Sequence, residues 1–102
     1  MNEKLLSLVY EAIDDYNCTV PESIQLEQKP ETLLFDPQSK LDSMGIVQMS
    51  VGIEEKMQEA FGFDDSVFGI SGEYKKDKPF RNVETTVEYL EWFLERKGIK
   101  LS

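Results

Sequence analysis

Apolar side chains return every three or four residues in three stretches of the chain, and each stretch predicts a helix. In the first, Leu5, Leu8, Val9, Ala12, Ile13 and Tyr16 share one face. Asn2 is placed to cap that helix, and Asn17 with Pro21 to end it. The second runs from Ser43 to about Phe61, with a stripe of Ile46, Met49, Ile53, Met57 and Ala60, Val47 and Ser50 beside it, and Gly62 as the stop. The third begins after Asn82, a second capping residue, and runs to Lys97 before Gly98. There Val83, Val87, Leu90 and Leu94 line up, Thr86 and Phe93 adjoin them, and Lys97 suits the negative end of the helix dipole. The spacing assigns Leu8, Val9, Ile13, Val47, Ile53, Val83, Val87 and Leu90 to one core.

The connections read differently. Residues 18–42 hold Pro21, Pro30 and Pro37, which preclude a continuous helix, while Ile24, Leu26, Leu33, Leu34, Phe35 and Leu41 are candidates to pin the segment down. In residues 62–80, Asp64-Asp65-Ser66 predicts a short helix through Phe68 before Gly69 and Gly72 interrupt it, and Glu73 to Pro79 reads as an exposed loop. No stretch alternates long enough to require a strand. The expectation is an all-α fold: a small bundle of three main helices plus one short helix, in a single domain over residues 1–102.

Composition narrows the function. No apolar run approaches the roughly 20 residues that cross a bilayer, so no membrane span is expected. Twenty acidic against 11 basic side chains give a net charge of −9, which repels nucleic acid and anionic membranes and steers toward basic protein partners. Residues 1–42 concentrate this, with nine acids and three bases. The chain has no histidine, which removes histidine-dependent triads and the commonest metal ligand. Cys18 is the lone cysteine and the start of the chain lacks a signal-peptide pattern, so a reducing, cytoplasmic address is expected, as is a monomer. Asn17-Cys18-Thr19 matches a glycosylation triplet that such an address would leave unused.

The candidate chemistry lies in Leu41-Asp42-Ser43-Met44-Gly45-Ile46-Val47, continued by Ile53-Glu54-Glu55-Lys56-Met57. Taken by themselves, Asp42 and Ser43 are helix-capping residues and the glutamates a solvated face. The stretch also resembles the attachment motif of acyl and peptidyl carrier proteins, in which an Asp-Ser-Leu-like triplet opens an amphipathic, glutamate-bearing helix. Leu34-Phe35-Asp36 is similar to a turn found shortly before the family's serine, and Pro79-Phe80-Arg81-Asn82-Val83 followed by Tyr89 resembles the start of its final helix. The resemblance thus follows most of the chain in order.

This resemblance implies a carrier rather than an enzyme, with no catalytic residue of its own. Ser43 would take a covalent 4′-phosphopantetheine arm from coenzyme A, through a phosphopantetheinyl transferase using Mg²⁺, and Asp42 would support the attachment. Acyl groups would ride on the arm as thioesters, delivered by a loading ligase or synthase and passed to acyltransferases in fatty-acid-like or specialised metabolism. Met44, Val51, Glu54, Glu55 and Glu59 would touch partners. A peptidyl or aminoacyl carrier uses the same arm, and an unmodified helical adaptor would use the same helix face. Gly45 and Gln48 stand where carriers of fatty-acid synthesis are frequently acidic, and the segments Pro37–Lys40 and Phe63–Lys78 are longer than usual. These departures point to a specialised carrier.

Overall fold

The computed structural model describes residues 2–101, and it is an all-α bundle. Helices α1 (Glu3–Asn17), α2 (Ser43–Phe61) and α3 (Val83–Arg96) are joined by long connections, each containing a single 3-10 turn, at Glu22–Ile24 and Ser71–Glu73. The predicted punctuation operates. The Asn2 side chain accepts from the Leu5 N–H, and Asn82 forms a reciprocal capping box with Thr85. Gly62 ends α2 in the left-handed conformation, with φ 71°, that costs glycine least. Among the described residues no helix is long and apolar enough to cross a membrane.

Helix α1 packs against both α2 and α3. Leu5, Val9 and Ile13 from α1, Met49, Ile53 and Met57 from α2, and Val83, Val87, Leu90 and Phe93 from α3 are buried in one cluster. Two core assignments need revision. Leu8 is only partly buried, at the margin of that cluster. Val47 is 59% exposed and stands outside it. The buried ridge of α2 is Gly45, Met49, Ile53 and Met57, a four-residue series that includes a glycine. That choice rotates the helix from the apolar stripe, turning Val47 outward and leaving Ile46 38% exposed and Ala60 exposed.

The connections are held by pairings that have no local period. Asn17 lies against Leu26, donating to its carbonyl at 2.9 Å and accepting its N–H at 2.8 Å, which folds the chain back after α1. Residues 30–35 run antiparallel to 80–84. Leu34 N–H donates to Arg81 O, Phe35 N–H to Phe80 O and Val83 N–H to Thr32 O, around an isolated bridge between Leu33 and Asn82. Phe35, Phe68 and Phe80 meet edge to face, and Phe80 and Phe68 continue onto Tyr89 of α3.

The short helix expected over Asp64–Phe68 does not form; the 3-10 turn of this connection lies later, at Ser71–Glu73. The backbone groups that would have closed it are claimed by side chains of the neighbouring helices. Glu54 of α2 accepts the Val67 N–H at 2.6 Å, and the Tyr89 hydroxyl donates to the Val67 carbonyl at 2.5 Å. Gln58 donates to the carbonyls of Asp64 and Asp65, and Lys97 pairs with Asp65 at 2.6 Å. Residues 64–67 are therefore a strap between α2 and α3, with the Val67 side chain fully buried beneath it.

Candidate functional site

Asp42 and Ser43 divide the work at the start of α2. Asp42 is the N-cap: its carboxylate accepts the Gly45 N–H at 2.8 Å and its carbonyl accepts the Ile46 N–H at 2.9 Å. Ser43 is the first helical residue and is exposed. Its hydroxyl is thus not the capping group. The Ser43 and Met44 N–H groups precede the first intrahelical bond, so the first turn presents unpaired donors and the positive end of the dipole beside the hydroxyl.

An open depression of about 480 Å³ lies next to Ser43, walled by Phe35, Asp36, Pro37, Leu41, Asp42 and Ile46. Its far wall is fixed by the Leu34-Phe35-Asp36 turn. The Asp36 carboxylate accepts the Gln38 N–H at 2.9 Å and lies 3.7 Å from the Arg81 guanidinium, which ties the turn to the approach to α3. Below the first turn of α2, Gly45 is buried where Leu41 and the Tyr16 hydroxyl come closest. Burial raises the Tyr16 phenol above its usual range, and the Asp42 carboxylate adds to the shift.

The other residues singled out by the sequence are dispersed along α2. Met44 is 73% exposed and Val51 46% exposed. Glu55 and Glu59 are exposed, and Glu59 borders a shallow groove between α1 and α2 with Glu11 and Lys56. Lys56 is committed to Asp15 at 2.9 Å, and that hydrogen bond outweighs partial desolvation to raise its pKa. Glu54 is half-buried and holds the strap. Val47, placed in the core by its spacing, instead joins Met44 and Val51 on the surface. The signal that could have exposed it is Gly45: a glycine four residues before Met49 extends the buried ridge, and Val47 lies across the helix from both.

Set against family models, curated proteins and solved structures, the chain matches none of them.

Proposed function

We propose that this chain is an acyl carrier protein whose Ser43 takes a 4′-phosphopantetheine arm. The observation that carries the reading is the separation of roles at the start of α2. Asp42 supplies the cap, so the exposed Ser43 hydroxyl is left available for reaction. The residues suit such a group. The Ser43 and Met44 N–H donors favour a phosphodiester on the Ser43 oxygen. Phe35, Pro37 and Ile46 offer an apolar wall along which a tether can lie.

In this reading the Ser43 oxygen attacks the pyrophosphate of coenzyme A within the transferase. A serine–phosphorus ester forms, the phosphoanhydride bond breaks, the nucleotide leaves, and the serine proton passes to the transferase. The arm's thiol then supplies thioester chemistry for an acyl cargo. Asp42 holds the first turn in place throughout. The protein's contribution is to raise the local concentration of cargo at the partner's active site.

The exposed stripe of Met44, Val47 and Val51 equally favours a second reading, an unmodified adaptor that binds through α2. Intact mass after incubation with coenzyme A, Mg²⁺ and a broad-specificity phosphopantetheinyl transferase separates the two. The carrier reading expects one arm on the wild-type chain and none on Ser43→Ala, which should fold normally because Asp42 retains the cap. A wild-type chain without mass gain would leave the adaptor.

A further inference from the structure

We infer that the cavity between Gln25–Glu27 and Gln38–Lys40 is a binding site for a small aliphatic carboxylate, held by the Lys40 ammonium against Leu26 and Leu33. It is an open cavity of about 230 Å³, walled entirely by the long connection between α1 and α2. One wall comes from the Pro37–Lys40 segment, the part of this connection that departs from the carrier resemblance and adds a positive charge. The attachment depression beside Ser43 backs onto the same segment through Pro37 and Leu41, yet the two cavities share no lining residue. The site is therefore independent of the carrier reading.

Each wall is held by hydrogen bonds of its own. Asn17 bonds both the N–H and the carbonyl of Leu26, and the Gln25 amide donates to the carbonyls of Asn17 and Val20. Thr32 Oγ donates to the Glu27 carbonyl at 2.8 Å, closing the turn that joins Leu26 to Leu33. Ser39 Oγ donates to the Leu33 carbonyl and accepts the Leu41 N–H, both at 3.1 Å, which fastens the Pro37–Lys40 segment in place. A cavity braced in this way needs little ordering to receive a ligand. Two polar side chains remain available to that ligand. Lys40 is exposed and in no ion pair among the described residues; its Nζ donates one long bond, at 3.4 Å, to the Gln25 carbonyl, which leaves two hydrogens for another acceptor. The Gln38 N–H is held by Asp36, but its side-chain amide has no partner among the described residues.

Charge and volume select the ligand. Glu27 also lines the cavity, but Lys29 pairs with it at 3.0 Å, and that hydrogen bond holds its carboxyl below the usual range. A cation would have to displace Lys29. The charge left unmatched is that of Lys40, and it calls for an anion. Leu26 is buried and Leu33 half-buried, so the anion that fits carries an aliphatic body rather than being a bare inorganic ion. At the ~30 Å³ that a water molecule occupies in the liquid, 230 Å³ holds about eight non-hydrogen atoms. A carboxylate of about six carbons has that size. Its two oxygens accept from two donors at once, and Lys40 with the Gln38 amide supplies them.

The test titrates isocaproate into the full chain at physiological salt, where the net charge of −9 is largely screened, and follows the backbone amide shifts by NMR. Saturable shifts should appear at Gln25–Glu27, Leu33 and Gln38–Lys40, with a Kd of about 1–10 mM, the range for so small a ligand. Isocaproamide keeps the aliphatic body and loses the charge, and should bind about fivefold more weakly. Isocaproate should lose about the same affinity on Lys40→Gln and stay within about twofold of wild type on Lys40→Arg. Lys40 is exposed, so neither variant should move the denaturation midpoint. Ser43→Ala should bind like wild type, which separates this site from the carrier reading: either can fail without the other. No saturation by about 50 mM, equal affinity for the amide, unchanged affinity in Lys40→Gln, or shifts confined to the groove of Glu11 and Lys56 would each overturn the inference.

Discussion

A methyl group added at Gly45 would lie 3.0 Å from Leu41 Cδ2 and 3.1 Å from the Tyr16 hydroxyl, whereas one added at Gly52 would meet only Ala12 Cβ, at 3.8 Å. Both glycines weaken α2 by about 1 kcal/mol relative to alanine, but only one of them is required. Gly52→Ala should raise stability by about 0.5–1 kcal/mol in urea denaturation. Gly45→Ala should lower it, because overpacking against buried Leu41 and Tyr16 costs about 1–3 kcal/mol and exceeds the gain in propensity. A stabilised Gly45→Ala would show that the first turn of α2 can shift without cost. Tyr89 makes a second prediction at this scale. Burial, helped by the Glu73 carboxylate, pushes its pKa up to about 12 from the usual 10. The folded chain therefore keeps a proton that the unfolded chain releases. Its contribution is complete below about pH 10 and falls away toward pH 12, by about 2–3 kcal/mol in all. Denaturation across that range should show the decline, and Tyr89→Phe should reduce it, leaving the smaller share that the raised phenols of Tyr16 and Tyr74 contribute.

At the scale of elements, the sequence was most legible where periodicity and capping coincide. Asn2, Asp42 with Gly62, and Asn82 bound the three helices, and the bounds of α2 follow directly from the apolar pattern between Ser43 and Phe61. The face of α2 was less legible, because a buried glycine carries no hydrophobic signal and Gly45 sets the rotation that exposes Val47. The connections were least legible. Their anchors pair residues far apart in sequence, such as Phe35 with Phe80 and Val67 with Tyr89, and a single bridge is too short to produce strand alternation. Capping logic placed a helix at Asp64–Phe68, but Glu54 and Tyr89 outbid it for the Val67 peptide. Glu54 belongs to this scale for the same reason. Glu54→Ala should cost about 1–3 kcal/mol by leaving the Val67 N–H unpaired, and should speed hydrogen exchange at that amide. Unchanged stability and exchange would mean that Gln58, Tyr89 and Lys97 hold the strap without Glu54. Of the candidate site, the Asp42–Ser43 opening and the exposure of Met44 and Val51 were readable in advance; the commitment of Glu54 was not, since its partner lies 13 residues away in an irregular segment.

Across the whole molecule, negative charge is unevenly distributed along the chain. Acidic residues dominate the first 42 positions, two of which, Asp36 and Asp42, line the depression beside Ser43, while residues 43–53 carry no charge. A net charge of −9 favours long-range attraction for a basic partner. The account stands on Ser43 as the single point of attachment, and the chain offers a direct way to examine it. Tryptic cleavage after Lys40 and Lys56 yields the peptide Leu41–Lys56, in which Ser43 and Ser50 are the only hydroxyl side chains. Ser50 donates its hydroxyl to the Ile46 carbonyl at 2.6 Å, whereas Ser43 faces solvent at the head of α2. Fragmentation of this peptide after incubation with coenzyme A and a phosphopantetheinyl transferase should place the whole added mass on Ser43. An arm on Ser50, on any other peptide, or on none would contradict the account.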